Sequence, residues 1–156
     1  MSAEARLAEL GIELPPVPPP IANFIRARQV GTLLFLSGHG PIRPDGSRVQ
    51  GKLGVDISIE DAQAAARLTG LNLLATARSH LGSLDRVRAV VKVLGMVNSG
   101  PGFGSQPKVI DGFSDLMVEV FGDAGRHARS AVGMAELPFG IPVEIEMILE
   151  VDGPGA

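Results

Sequence analysis

Cysteine is absent from this chain, as are tyrosine and tryptophan. Without cysteine there are no disulfides, no thiolate metal sites and no thiol nucleophile. Long apolar runs are missing too: no stretch approaches the roughly 18 apolar residues of a membrane span. The N-terminal "MSAEARLAELGIELPP" is acidic and lacks the apolar core of a signal peptide. A soluble, cytoplasmic protein with no membrane partner is the expectation. Positive charge is also scarce. Fourteen Lys and Arg stand against seventeen Asp and Glu, giving a net charge of -3 and a pI near 5.6. The densest basic segment, Arg86 to Lys92 ("RVRAVVK"), spreads its charges along a strand-like run and reads as a solvated face. Phosphate binding needs clustered cations, so the charge balance argues against a nucleic-acid partner and against RNA cleavage.

What is present fits one α+β domain, since 156 residues bury one core but not two. Ala3 to Leu10 has the spacing of a short amphipathic helix, and "PPVPPP" (Pro15–Pro20) then forces an extended segment. Residues 1–20 are read as an N-terminal arm, either a spacer or a strap across its own domain, and 21–152 as the single domain. Ile21 to Ser37 holds two apolar runs about Gly31, the pattern of a hairpin, with Leu33–Leu36 unbroken enough for a buried strand. Ser58 and Asp61 have capping-box spacing and Gly82 ends the run, which predicts a helix between them. Its Ala62, Ala65, Thr69, Leu73 and Thr76 form a stripe suited to close packing on a sheet, and Gly70 marks a close backbone approach.

Val87 to Val93 alternates as a strand, with Val87, Ala89, Val91 and Val93 on one face and Arg88 and Lys92 on the other. "NSGPGFGSQP" (98–107) reads as a loop and Lys108–Phe121 as a second helix. Ser130–Ala135 and Val143–Val151 complete the order β-β-α-β-α-β-β, two helices against one mixed sheet. In the last strand Glu144 and Glu146 share the polar face.

Few residues carry chemistry. His39, His80 and His127 match no zinc spacing, so no metal site is expected. No nucleophile elbow or phosphate loop appears, and "GPGFG" (100–104) lacks the context of a dinucleotide fingerprint. What remains is "ARSAV" followed by "VEIE". Arg129, at the mouth of a strand, has the planar fork that grips a carboxylate through two parallel hydrogen bonds. Glu144, one strand on, has the chemistry to position or deprotonate a water. The same pair also fits an exposed ion pair of about 0–1 kcal/mol.

Three segments resemble the Rid family, the reactive-intermediate imine/enamine deaminases, also called YjgF-like and often labelled endoribonuclease L-PSP. They are "GTLLFLSGHGPI", "LDRVRAVVKV" and above all "ARSAVGMAELPFGIPVEIE". The resemblance spans about residues 20–151. It implies a chorismate-mutase-like subunit in a homotrimer whose sheets form a central barrel, with clefts between neighbours and no cofactor. The implied reaction is hydrolysis of 2-imino or enamine acids to 2-oxo acids and ammonia. By the same resemblance Arg129 grips the substrate carboxylate, Glu144 stands near the attacking water, and Ser37 and Gly38 line the cleft from the neighbouring subunit.

Three positions depart from the family pattern. Phe24 stands where a tyrosine is common, His39 replaces the usual glutamine, and Ala131 replaces a frequent cysteine. His39 either supplies a replacement polar group or fills its turn. Two functions fit these residues: imine hydrolysis, and a non-catalytic module binding small 2-oxo or other carboxylic acids, favoured by the hydroxyl missing at Phe24.

Overall fold

The computed structural model describes residues 1–20 and 22–153. Ile21, at which the first apolar run opens, lies outside them. The chain forms α1 (Ala3–Glu9), β1 (Ala27–Val30), β2 (Leu33–His39), α2 (Ile59–Leu81), β3 (Val87–Asn98), α3 (Gln106–Phe121), β4 (Ala128–Met134) and β5 (Val143–Val151). The strands make one sheet ordered β1-β2-β5-β3-β4. Only β3 and β4 run parallel, because α3 carries the chain back between them; the other neighbours are antiparallel. The α+β expectation and its element order hold, and the short helix expected over Ala3 to Leu10 forms as α1.

Local chemistry sets the ends of α2. Ser58 Oγ accepts the Asp61 amide at 3.0 Å, and Gly82 closes the helix at φ 84°. In α3 the first turn starts at Gln106, two residues earlier than the sequence suggests, since Pro107 is tolerated where its missing N–H would have no helical partner. The two helices cross in close contact. A Cβ added at Gly112 would stand 2.2 Å from the Gln63 carbonyl oxygen, and one at Gly70 would stand 2.8 Å from Leu116 Cδ2. The close approach expected at Gly70 is thus made to α3. The rest of the α2 stripe, Ala62, Ala65, Thr69, Leu73 and Thr76, is buried.

α1 also reaches the core, burying Ala3 and Leu7. Glu4 Oε1 accepts the Leu84 amide at 2.9 Å and so ties α1 to the turn before β3.

Three strands differ from the expectation. The first run is not a strand from its start, for β1 begins only at Ala27. In β3 the expected alternation fails because its register with β5 slips between Val87 and Ala89 and again between Val90 and Lys92. Val90 therefore joins Val93 in the core while Val91 turns out. Nor is β2 buried on both sides within one chain: Leu34 and Leu36 are covered, but Leu33 and Phe35 are exposed. Both helices lie on one face of the sheet, and the other face is left open with apolar side chains.

Candidate functional site

Between Leu36 and His39 the pairing of β2 with β5 is irregular, three steps on β2 answering two on β5. The consequence is local and decisive for the site. Ser37 turns its hydroxyl to the Ile25 carbonyl at 2.7 Å, whereas Gly38 faces Glu144 so closely that an added Cβ would stand 3.0 Å from Glu144 Oε2. His39 points inward. One ring nitrogen, Nδ1, lies 2.6 Å from the Ser37 carbonyl and donates to it; Nε2 lies 2.8 Å from Thr76 Oγ1 and accepts from it. Burial, reinforced by the charge of Arg26 and opposed by the Ser37 carbonyl, pushes this imidazole down to about 4.

A cleft of about 330 Å³ opens beside this bulge. Phe24, Gly38, His39 and Glu144 all line it, together with Thr76 from α2 and Phe139 from the turn before β5. Glu144 is half-buried; burial first, and the Glu146 charge second, raise its carboxyl above the usual carboxylate range. Ser37 belongs instead to a shallower groove of about 600 Å³ on the open face of the sheet, with Phe35, Lys92, Glu146 and Ile148.

Arg129 is elsewhere. Through β3 its row is Arg129, Val93 and Met147, while the row of Glu144 is Val132, Met96 and Glu144. The offset of three residues sends the two side chains from opposite faces of the sheet. Arg129 Nη1 donates to Asp111 Oδ1 at 2.9 Å and to Ser114 Oγ at 3.1 Å, both on α3. Ser114 Oγ in turn donates to His127 Nε2 at 3.0 Å, and His127 Nδ1 donates to the Gly125 carbonyl at 2.7 Å. His127 is held below its ordinary value by burial, then by the nearby Arg129. The guanidinium is thus aimed by one nitrogen, and its Nη2 and Nε have no partner among the described residues.

One chain brings four of the six candidate residues into one cleft and leaves Ser37 and Arg129 outside it. Asp111 and Ser114 escaped the sequence reading, which also gave Thr76 and His127 no role in the site. The available signal was slight: Asp111 and Ser114 share a helical face by their spacing, and Thr76 was visible only as part of a packing stripe.

Residues 4–144 match the family described as "YjgF/chorismate mutase-like, putative endoribonuclease". Protein TCP17 of Trypanosoma cruzi is 42% identical over 95% of this chain and 93% of its own length. The crystal structure of protein Atu1372 from Agrobacterium tumefaciens, of unknown function, is 44% identical with a TM-score of 0.88, covering 97% of this chain and 94% of that one. RidA from an Antarctic Psychrobacter is 25% identical with a TM-score of 0.61, covering 86% of this chain and 94% of that one.

Proposed function

Because the chain belongs to the YjgF/chorismate-mutase-like family, we propose that it hydrolyses 2-imino or enamine acids to 2-oxo acids and ammonia, in clefts completed by a second copy of the chain in a homotrimer. The observation that carries the reading is the half-buried Glu144 carboxylate facing Gly38 in a cleft that has room for a small acid. Arg129 lies on the edge strand β4 with unused donors, so a neighbouring chain is the natural source of the second half of the site. The likeness to RidA supports the same reading.

A protonated imine is already electrophilic, so the site has to orient it and deliver water. Arg129 of one chain fixes the carboxylate in two parallel hydrogen bonds. Glu144 of the other takes a proton from water as its oxygen adds to the C=N carbon. The resulting carbinolamine is protonated on nitrogen, the C–N bond breaks with its electron pair leaving on ammonia, and the hydroxyl proton passes to solvent water as the C=O of the 2-oxo acid forms. Glu144 returns its proton to the departing nitrogen.

The test is 2-oxo acid release from imines generated in situ by an amino-acid oxidase. Acceleration over the spontaneous rate that is lost in Arg129→Ala is expected; spontaneous rates with several imines would refute the reading. Phe24 offers a phenyl edge but no hydroxyl, which favours a second reading as a binding module for small carboxylic acids. Calorimetric binding of 2-oxo acids, abolished in Arg129→Ala and unaccompanied by turnover, would favour that alternative.

A further inference from the structure

The cleft beside Glu144 contains two cations that neither the motif nor the proposed reaction uses. Arg26 and Arg48 both line it, and neither pairs with a carboxylate among the described residues. Each is held in place. Arg26 Nε donates to the Pro18 carbonyl at 2.9 Å and Nη2 to the Pro19 carbonyl at 3.2 Å, so the proline segment fixes the guanidinium and Nη1 keeps its hydrogens free. Arg48 lies over the ring of Phe139, 4.1 Å from its centroid, which leaves its in-plane N–H groups unspent. The platform itself is fixed: Phe139 adopts φ 61°, a left-handed backbone that side chains seldom take, and Gln50 Nε2 donates to its carbonyl at 2.7 Å.

Charge decides what such a cleft accepts. Two guanidiniums face a single carboxylate, Glu144, and His39 is neutral near pH 7. Arg129 from a neighbouring chain brings a third guanidinium, paired through one nitrogen with its own Asp111, and the walls between are apolar, Ile42 and Ile141 among them. A monocarboxylate satisfies Arg129 but offers no acceptor to Arg26 or Arg48, and it covers the partly buried Arg26 with an apolar side chain. Burial already lowers the pKa of Arg26, a sign that its charge is poorly solvated.

Resting on the proposed carboxylate site, we infer that the ligand is a dicarboxylic 2-imino or 2-oxo acid, whose first carboxylate meets Arg129 and whose second meets Arg26 and Arg48 across an apolar spacer. The proline segment then serves the site directly, as the strap that aims Arg26.

Calorimetry with 2-oxoglutarate and with 2-oxopentanoate, which has the same chain length without the terminal carboxylate, separates the two claims. The wild-type protein should bind 2-oxoglutarate about ten- to a hundredfold more tightly, the range of one or two charge-assisted hydrogen bonds. In Arg48→Gln, and in Arg26→Gln checked for intact folding by its melting curve, the ratio between the acids should fall toward one. Arg129→Ala should weaken both acids. Equal affinity for the two acids in the wild type overturns the inference and leaves the Arg129 site standing. A preference that persists in both arginine variants also overturns it, and binding of neither acid overturns the inference together with the function it rests on.

Discussion

His39 is buried with both ring nitrogens engaged, so its proton affinity is a stability term. Its folded pKa of about 4 lies below the ordinary 6.5, and the unfolded chain therefore takes up the proton first. The stability that His39 contributes is complete above pH 6.5 and drains as the pH falls toward 4, amounting to about 3 kcal/mol across that window. Denaturant titrations from pH 7 to 4 should show this slope in the wild type and a flatter one in His39→Gln; identical slopes would contradict the assignment. Glu144 gives a second residue-scale prediction. Its carboxyl is raised first by burial and then by Glu146, and it must be ionised to act as a base. Activity should fall as the pH drops through this raised pKa, and Glu146→Gln, by removing the neighbouring charge, should move that acid limb to lower pH. A limb that stays put or rises would exclude Glu144 as the titrating group.

The elements differ in how far their own residues decide them. Ser58 and Gly82 are local signals, and α2 begins and ends where they place it. β5 likewise shows its two faces in its alternation, because every second residue meets the helices. The faces of β3 could not be read in the same way: its bulges exist only in its pairing with β5, a contact between distant segments. The site divides similarly. Gly38, His39, Arg129 and Glu144 sit in compact motifs, whereas Arg26, Arg48, Asp111 and Ser114 acquire meaning only when the turn before β5 and the face of α3 are in place. The helix crossing offers a test at this scale. Replacing either crossing glycine by alanine gains about 1 kcal/mol of helix propensity. At Gly70 the new methyl meets the flexible end of Leu116, but at Gly112 it meets backbone, the Gln63 carbonyl at 2.2 Å. Gly70→Ala should therefore cost about 1 kcal/mol or less and Gly112→Ala about 3 kcal/mol. Thermal melts showing the reverse order would refute the crossing geometry.

At the scale of the molecule, the open face of the sheet is the feature a single chain leaves unexplained. Phe35 on β2 is in register with Ile148 on β5, and Phe35 and Val132 are about two-fifths exposed. Helices cover the opposite face, so this one is free to meet other copies, as the proposed trimer requires. Phe35→Glu should yield smaller particles in light scattering while the monomer fold, read by circular dichroism, persists. A wild-type protein already monomeric at micromolar concentration would remove the second half of the site.

The proposed catalysis depends on Arg129 and Glu144 meeting across two chains, since within one chain they leave opposite faces of the sheet. Subunit complementation tests this directly: Arg129→Ala and Glu144→Ala proteins are co-refolded in equal amounts and assayed for imine hydrolysis beside each parent. Random trimers restore one intact cleft per mixed assembly, so activity should return to roughly a quarter of the wild-type value while both parents stay near the spontaneous rate. A mixture no more active than its parents would contradict a shared site.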